Sequence, residues 1–142
     1  MAGTTAWDKL SDEMSNGGES NFKEKALSLL RILDRSFQEC LDISGIDFVV
    51  WSDKSSIDWA VQCHVFDVSV ILERNHASEI ISSTQAFLSQ GIKCNKYWVI
   101  HNHQHGKKGY GKFLQFLKEI ENYKECLKTE HDTIEFHLIQ RQ

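Results

Sequence analysis

The chain has 142 residues, 41% of them hydrophobic and 11% aromatic, with a formal net charge of -4, the make-up of one globular domain large enough to bury a core. That acidic balance gives no global basic field of the kind that carries stand-alone nucleic-acid binding. The widely spaced Cys40, Cys63, Cys94 and Cys126 argue against a zinc ribbon or a disulfide framework, and no apolar run reaches the length of a membrane span. Reduced thiols and a cytoplasmic, membrane-free setting are expected.

Residues 1–20 read as a leader or linker, with a short helix around Trp7 to Met14 and then a polar Ser-Asn-Gly-Gly-Glu-Ser turn. Asp8, Asp12 and Glu13 stand where a signal peptide would carry its apolar segment. The folded domain is expected over 21–142. A helix is predicted to begin after Asn21, which has Glu24 three residues on in the capping-box spacing. Phe22, Ala26, Leu29, Leu30, Leu33, Phe37, Cys40 and Leu41 recur at three and four, so one apolar face runs to Leu41, and Ser44-Gly45 ends the segment.

Two runs, 46–51 and 57–65, flank the polar turn Ser52-Asp53-Lys54-Ser55-Ser56 and read as a hairpin. Val65 to Leu72 either extends the second strand or adds another. Ala77, Ile80, Ile81, Thr84, Phe87 and Leu88 mark a second helix from His76, with Gly91 as its stop. Tyr97 to Ile100 is a buried strand; Phe113, Phe116, Leu117, Ile120 and Leu127 mark a third helix. Ile134, Phe136 and Leu138 alternate in a last strand. The order is helix, two or three strands, helix, strand, helix, strand. This predicts an α/β domain, with a mixed central sheet flanked by helices.

Within the hairpin, each strand carries polar residues in an apolar run. Asp47 precedes Phe48-Val49-Val50-Trp51, and a carboxylate there is costly to bury unless it is paired; a metal ion is one such partner. On the second strand Gln62 and His64 share a face while Val61, Cys63 and Val65 take the other. The plainer reading makes Asp47 a local turn cap, with Gln62 and His64 on the solvent side of an edge strand.

Gly45-Ile46-Asp47 followed by Gln62-Cys63 resembles the restriction-endonuclease-like PD-(D/E)xK superfamily, in its Mrr-like branch. Lys96 to Asn102 is similar to the core strand that follows that superfamily's central helix. The resemblance spans roughly 22–140. It implies a restriction-endonuclease-like fold and a Mg²⁺- or Mn²⁺-dependent nuclease of restriction or antiviral-defence type. It implies Asp47, Gln62 and the Cys63 carbonyl as metal ligands, with Asp47, Gln62 and His64 as the catalytic set. Nucleic acid is the implied partner, DNA ahead of RNA, in a homodimer or attached to a larger defence protein. The departure is His64, where the family has Lys. Histidine ionises near pH 6.5, so at neutral pH the site lacks the constant charge that a lysine supplies. That loss leaves a weakened or inactive nuclease as an expected outcome. The competing class is a non-enzymatic acidic binding protein, such as an inhibitor or immunity protein.

A second segment, His101 to Lys112, attracts several readings. Gly106 to Lys112 fits G-x-x-x-x-G-K, but Phe113 follows in place of the Ser or Thr that a P-loop uses on Mg²⁺. His101, His103 and His105 alternate, as a metal site on an extended backbone requires, although a solvated loop is the favoured reading. Lys107, Lys108 and Lys112 fall at the start of a helix, where backbone N–H groups favour anions. They are the expected phosphate contacts.

Overall fold

A computed structural model of the chain describes residues 22–66, 70–102 and 110–139. Among them are three helices and five strands: α1 (22–33), β1 (Gln38–Glu39), β2 (Phe48–Trp51), β3 (Ser56–His64), α2 (Arg74–Leu88), β4 (Lys93–His101), α3 (Tyr110–Glu130) and β5 (Glu135–Ile139). The strands form one open mixed sheet in the order β1-β2-β3-β4-β5. β1, β2 and β3 pair antiparallel, and β3, β4 and β5 pair parallel. The expected α/β class and order of elements are present, with three strands before α2.

Alternation along the strands divides the core. Phe48, Val50, Trp59, Val61 and Cys63 face α1, which buries Phe22, Ala26 and Leu30 against them. Val49, Ala60, Tyr97, Val99 and Phe136 face the other way, onto Ala77, Ile80 and Phe87 of α2 and Phe113, Phe116, Ile120 and Leu127 of α3. Both parallel crossovers step in one direction along the sheet, so α2 and α3 land on the same face. No helix among the described residues is long and apolar enough to cross a membrane.

The first helix is shorter than its apolar repeat predicts. It ends at residue 33 because Asp34 turns the chain: its Oδ1 accepts the Ser36 N–H at 2.8 Å, an Asx turn that competes with helix continuation. Arg31 Nε closes the turn by donating to the Phe37 carbonyl at 3.0 Å. Phe37 and Cys40 are buried from beyond the helix, one before and one after β1, while Leu41 is 87% exposed and belongs to no core face. In the 65–72 stretch β3 stops at His64; residues 67–69 lie outside the described residues, and 70–73 form no strand. Asn102 secures the exit of β3, accepting the Phe66 N–H at 2.7 Å and donating to the Phe66 carbonyl at 2.9 Å.

Two glycines have positive φ, and their surroundings differ. Gly91, at φ 71°, closes α2 with open space where a Cβ would stand. Gly45, at φ 86°, brings the chain against α2, and a Cβ there would lie 2.2 Å from the Ser83 carbonyl oxygen and 2.8 Å from Phe87 Cβ. Gly91→Ala is therefore expected to cost about 1 kcal/mol, from backbone strain alone. Gly45→Ala should cost on the order of 3 kcal/mol, because the steric clash adds to that strain. Urea unfolding of both variants checks this, and equal losses would show that the approach to α2 is not tight.

Candidate functional site

The predicted site residues lie where β2 enters the sheet beside the end of β3. Asp47 precedes β2; its N–H donates to the Val61 carbonyl at 2.8 Å and its carbonyl accepts the Cys40 N–H at 2.9 Å. Its side chain extends the same ladder, Oδ2 accepting the Cys63 N–H at 2.8 Å. A carboxylate thus stands in for a backbone carbonyl at the end of the hairpin, a charge-assisted bond that also fixes its orientation. Oδ1 faces Lys23 of α1, whose Nζ is 2.9 Å away. The two side chains are 33% and 23% exposed, so this pair is more sheltered than a surface ion pair.

Gln62 is 3% exposed and works on the α2 side of the sheet. Its Nε2 donates to the Gly45 carbonyl at 3.3 Å, to Thr84 Oγ1 at 3.4 Å and to the Tyr97 hydroxyl. Its Oε1 is hydrogen-bonded to His64 Nε2, so these two residues share a face as the alternation implies. The His64 ring stacks on Phe66 with centroids 5.7 Å apart. Burial pushes the Tyr97 hydroxyl pKa well above its usual value, with the nearby Asp47 charge adding to the rise and the polar Thr84 and Gln62 side chains opposing it. Tyr97 therefore keeps its proton, and donates it to the Gly45 carbonyl at 2.5 Å.

The structure thus joins Gln62 to His64, and Asp47 to the Cys63 backbone. Asp47 reaches towards α1 and Gln62 towards α2, helices on opposite faces of the sheet, through separate sets of partners. The structure therefore does not bring these two expected metal ligands together. The plainer reading of Gln62 as a solvated edge residue does not hold, since β3 is flanked on both sides and the amide is buried. Lys23, Thr84 and Tyr97 are additions to the predicted set. The only signal for Tyr97 was a hydroxyl in an apolar strand, and for Lys23 a cation on the first turn of a helix bordering the core.

Of the expected phosphate contacts, Lys112 lies on the first turn of α3 and pairs with Glu73 Oε2 at 3.3 Å, the lysine exposed and the glutamate half-buried. Lys107 and Lys108 fall outside the described residues, as do His103 and His105. His101 is buried, its ring centroid 6.0 Å from those of both Phe66 and Phe116. All four cysteines are free thiols, and only Cys126 is exposed.

Among the described residues no three His, Cys, Asp or Glu side chains are grouped to hold a metal. The candidate set has one carboxylate and draws its other oxygens from an amide and a carbonyl. Those donors still suit a hard cation in kind. Asp47 Oδ1 already faces a cation, and Gln62 Oε1 has a second lone pair beyond the one used by His64. No family model matches the chain, and no curated protein or solved structure matches it.

The contacts of Gln62 yield a test. Gln62→Glu puts a carboxylate oxygen where Gly45, Thr84 and Tyr97 now accept from the amide nitrogen. The variant is expected to lose about 2 kcal/mol at neutral pH. Burial should raise the new carboxyl's pKa in the folded state, so its penalty grows as pH rises above the unfolded value of about 4.3 and shrinks in acid. Chemical denaturation at several pH values reads this directly. Parent-like stability at neutral pH would mean that the amide nitrogen is not held by those acceptors.

Proposed function

We propose that this chain is a nucleic-acid-directed nuclease domain of restriction-endonuclease-like type, with Asp47 and Gln62 at its centre and Lys23 supplying the charge that His64 lacks. The observation that carries the reading is the Lys23–Asp47 pair, Nζ to Oδ1 at 2.9 Å. It puts a lysine ammonium beside the motif aspartate, but from α1 and not from two residues after Gln62.

By the family resemblance Asp47, Gln62 and the Cys63 carbonyl would hold Mg²⁺ or Mn²⁺, which would polarise a phosphate and lower the pKa of water. Because Asp47 and Gln62 reach towards opposite faces of the sheet, sharing one ion would require Gln62 Oε1 to turn from His64 towards Asp47. The chain's own contributions follow from its contacts. The Cys63 N–H orients the Asp47 carboxylate and leaves Oδ1 to the Lys23 ammonium. Lys23 compensates the Asp47 charge while no other cation is present, and its ammonium would meet a phosphate oxygen once released from Asp47. Lys107, Lys108 and Lys112 remain the proposed contacts to the nucleic-acid backbone. Such contacts position nucleic acid without reading its sequence. The restriction or defence setting, and DNA ahead of RNA as substrate, rest on the family resemblance.

One observation favours a second reading. Both Asp47 oxygens already have protein donors, as expected if the fold has kept its hairpin and lost the chemistry. In that case the chain is an acidic binding protein.

Two variants separate these readings. Asp47→Asn keeps an oxygen for the Cys63 N–H and removes only the charge, so the hairpin should survive while Mg²⁺- or Mn²⁺-dependent cleavage falls about a hundredfold or more. Lys23→Met should slow cleavage yet tighten Mn²⁺ binding in a calorimetric titration, because a competing cation has been removed. Absence of cleavage by the parent on single-stranded DNA, double-stranded DNA and RNA would overturn the nuclease reading in favour of the binding protein.

A further inference from the structure

We infer that Tyr97 and Thr84 are positioning residues that fix which end of the Gln62 amide faces the site, and that His64 is thereby held as its Nε2–H tautomer. This rests on the proposed role of Gln62 as an oxygen donor. An amide at a motif position usually filled by a carboxylate has an ambiguity that the carboxylate lacks. One end can ligate a cation and the other repels it, and half a turn of the side chain exchanges them.

Three acceptors settle the choice. The Gly45 carbonyl can only accept. The Tyr97 hydroxyl spends its proton on that carbonyl at 2.5 Å, and so offers Gln62 a lone pair. The Thr84 hydroxyl spends its proton on the Ile80 carbonyl at 2.9 Å, one helical turn back, and offers a lone pair as well. All three surround one atom of Gln62, and only the NH₂ end can donate to them, its two protons shared among the three acceptors. With the amide reversed, its oxygen would face the Gly45 carbonyl, and Tyr97 and Thr84 could donate to it only by giving up their bonds to Gly45 and Ile80. Gln62, Thr84 and Tyr97 are 3%, 1% and 1% exposed, so buried groups would be left unsatisfied.

The other end is then fixed as well. Oε1 faces His64 Nε2, and a hydrogen bond between them requires the proton on the imidazole nitrogen. The neutral ring is therefore protonated at Nε2 and not at Nδ1. The order of causation runs from β4 and α2, through Gln62, to the ring on β3. Gly45 belongs to the same arrangement, since its close approach to α2 carries its carbonyl to both Tyr97 and Gln62.

Long-range ¹H–¹⁵N correlation spectra of the ¹⁵N-labelled chain test this, because the two ring nitrogens have distinct signatures in each tautomer. At about pH 8, where imidazole is largely neutral, His64 in the parent should show Nε2 protonated and Nδ1 unprotonated. The double variant Tyr97→Phe with Thr84→Val removes two of the three acceptors, so the opposite tautomer should rise about fivefold or more relative to the parent. Tyr97→Phe alone should move the ratio in the same direction by less, and carries the comparison should the double variant fail to fold. A parent protonated at Nδ1, a parent with an even mixture, or variants with an unchanged ratio would overturn the inference. The spectra need neither metal nor substrate. If they come out as expected and the parent cleaves no nucleic acid, the orienting network stands and the nuclease reading falls.

Discussion

The bond from the Cys63 N–H to the Asp47 carboxylate is the contact on which the arrangement of the site depends. It closes the hairpin ladder with a side chain at the point where the backbone of residue 47 has already used its own groups on Val61 and Cys40. Because the acceptor is charged, the bond is stronger than the carbonyl contact it replaces. It also leaves Oδ1 to attract a cation, which Lys23 provides from α1. One carboxylate thereby ties β2, β3 and the helix on one face of the sheet together.

The other face is tied in at Gly45, two residues earlier. Its left-handed conformation and missing side chain let the chain lie against α2, and its carbonyl then accepts from Tyr97 on β4 and Gln62 on β3. Gln62, Thr84 and Tyr97 are all buried, and each has hydrogen-bond partners, so the cluster escapes the penalty that buried polar groups otherwise incur. Such a satisfied cluster rigidifies its surroundings. The consequence for the proposed function is that Gln62 offers an oxygen in a fixed direction, as a motif carboxylate would without such support.

Much of the fold is legible in the residues. The hairpin shows itself because 52–56 is entirely polar between two apolar runs, and α2 ends at Gly91 because that glycine can adopt a positive φ. Gln62 and His64 are placed on one face by strand alternation alone. The end of α1 is hidden, since Phe37 and Cys40 continue the apolar spacing although Asp34 has already turned the chain. β1 is equally hidden: two exposed residues, Gln38 and Glu39, carry no strand pattern and pair only because β2 lies beside them. The partners of the site residues could not be read for a related reason. Lys23 lies 24 positions before Asp47 and Tyr97 lies 35 after Gln62, and no local periodicity encodes contacts at such separations. A lysine on the first turn of an amphipathic helix reads as a solvated charge until the sheet beneath it is known.

The most direct test of the account is a crystal structure of the parent protein grown with Mn²⁺ and measured for anomalous scattering. The expected result is one anomalous peak bounded by Asp47, Gln62 Oε1 and the Cys63 carbonyl, with the Lys23 ammonium moved away from Asp47 Oδ1. A map with no peak at Asp47, and with Lys23 still paired to it at saturating Mn²⁺, would contradict the account and leave the hairpin carboxylate as a purely structural group.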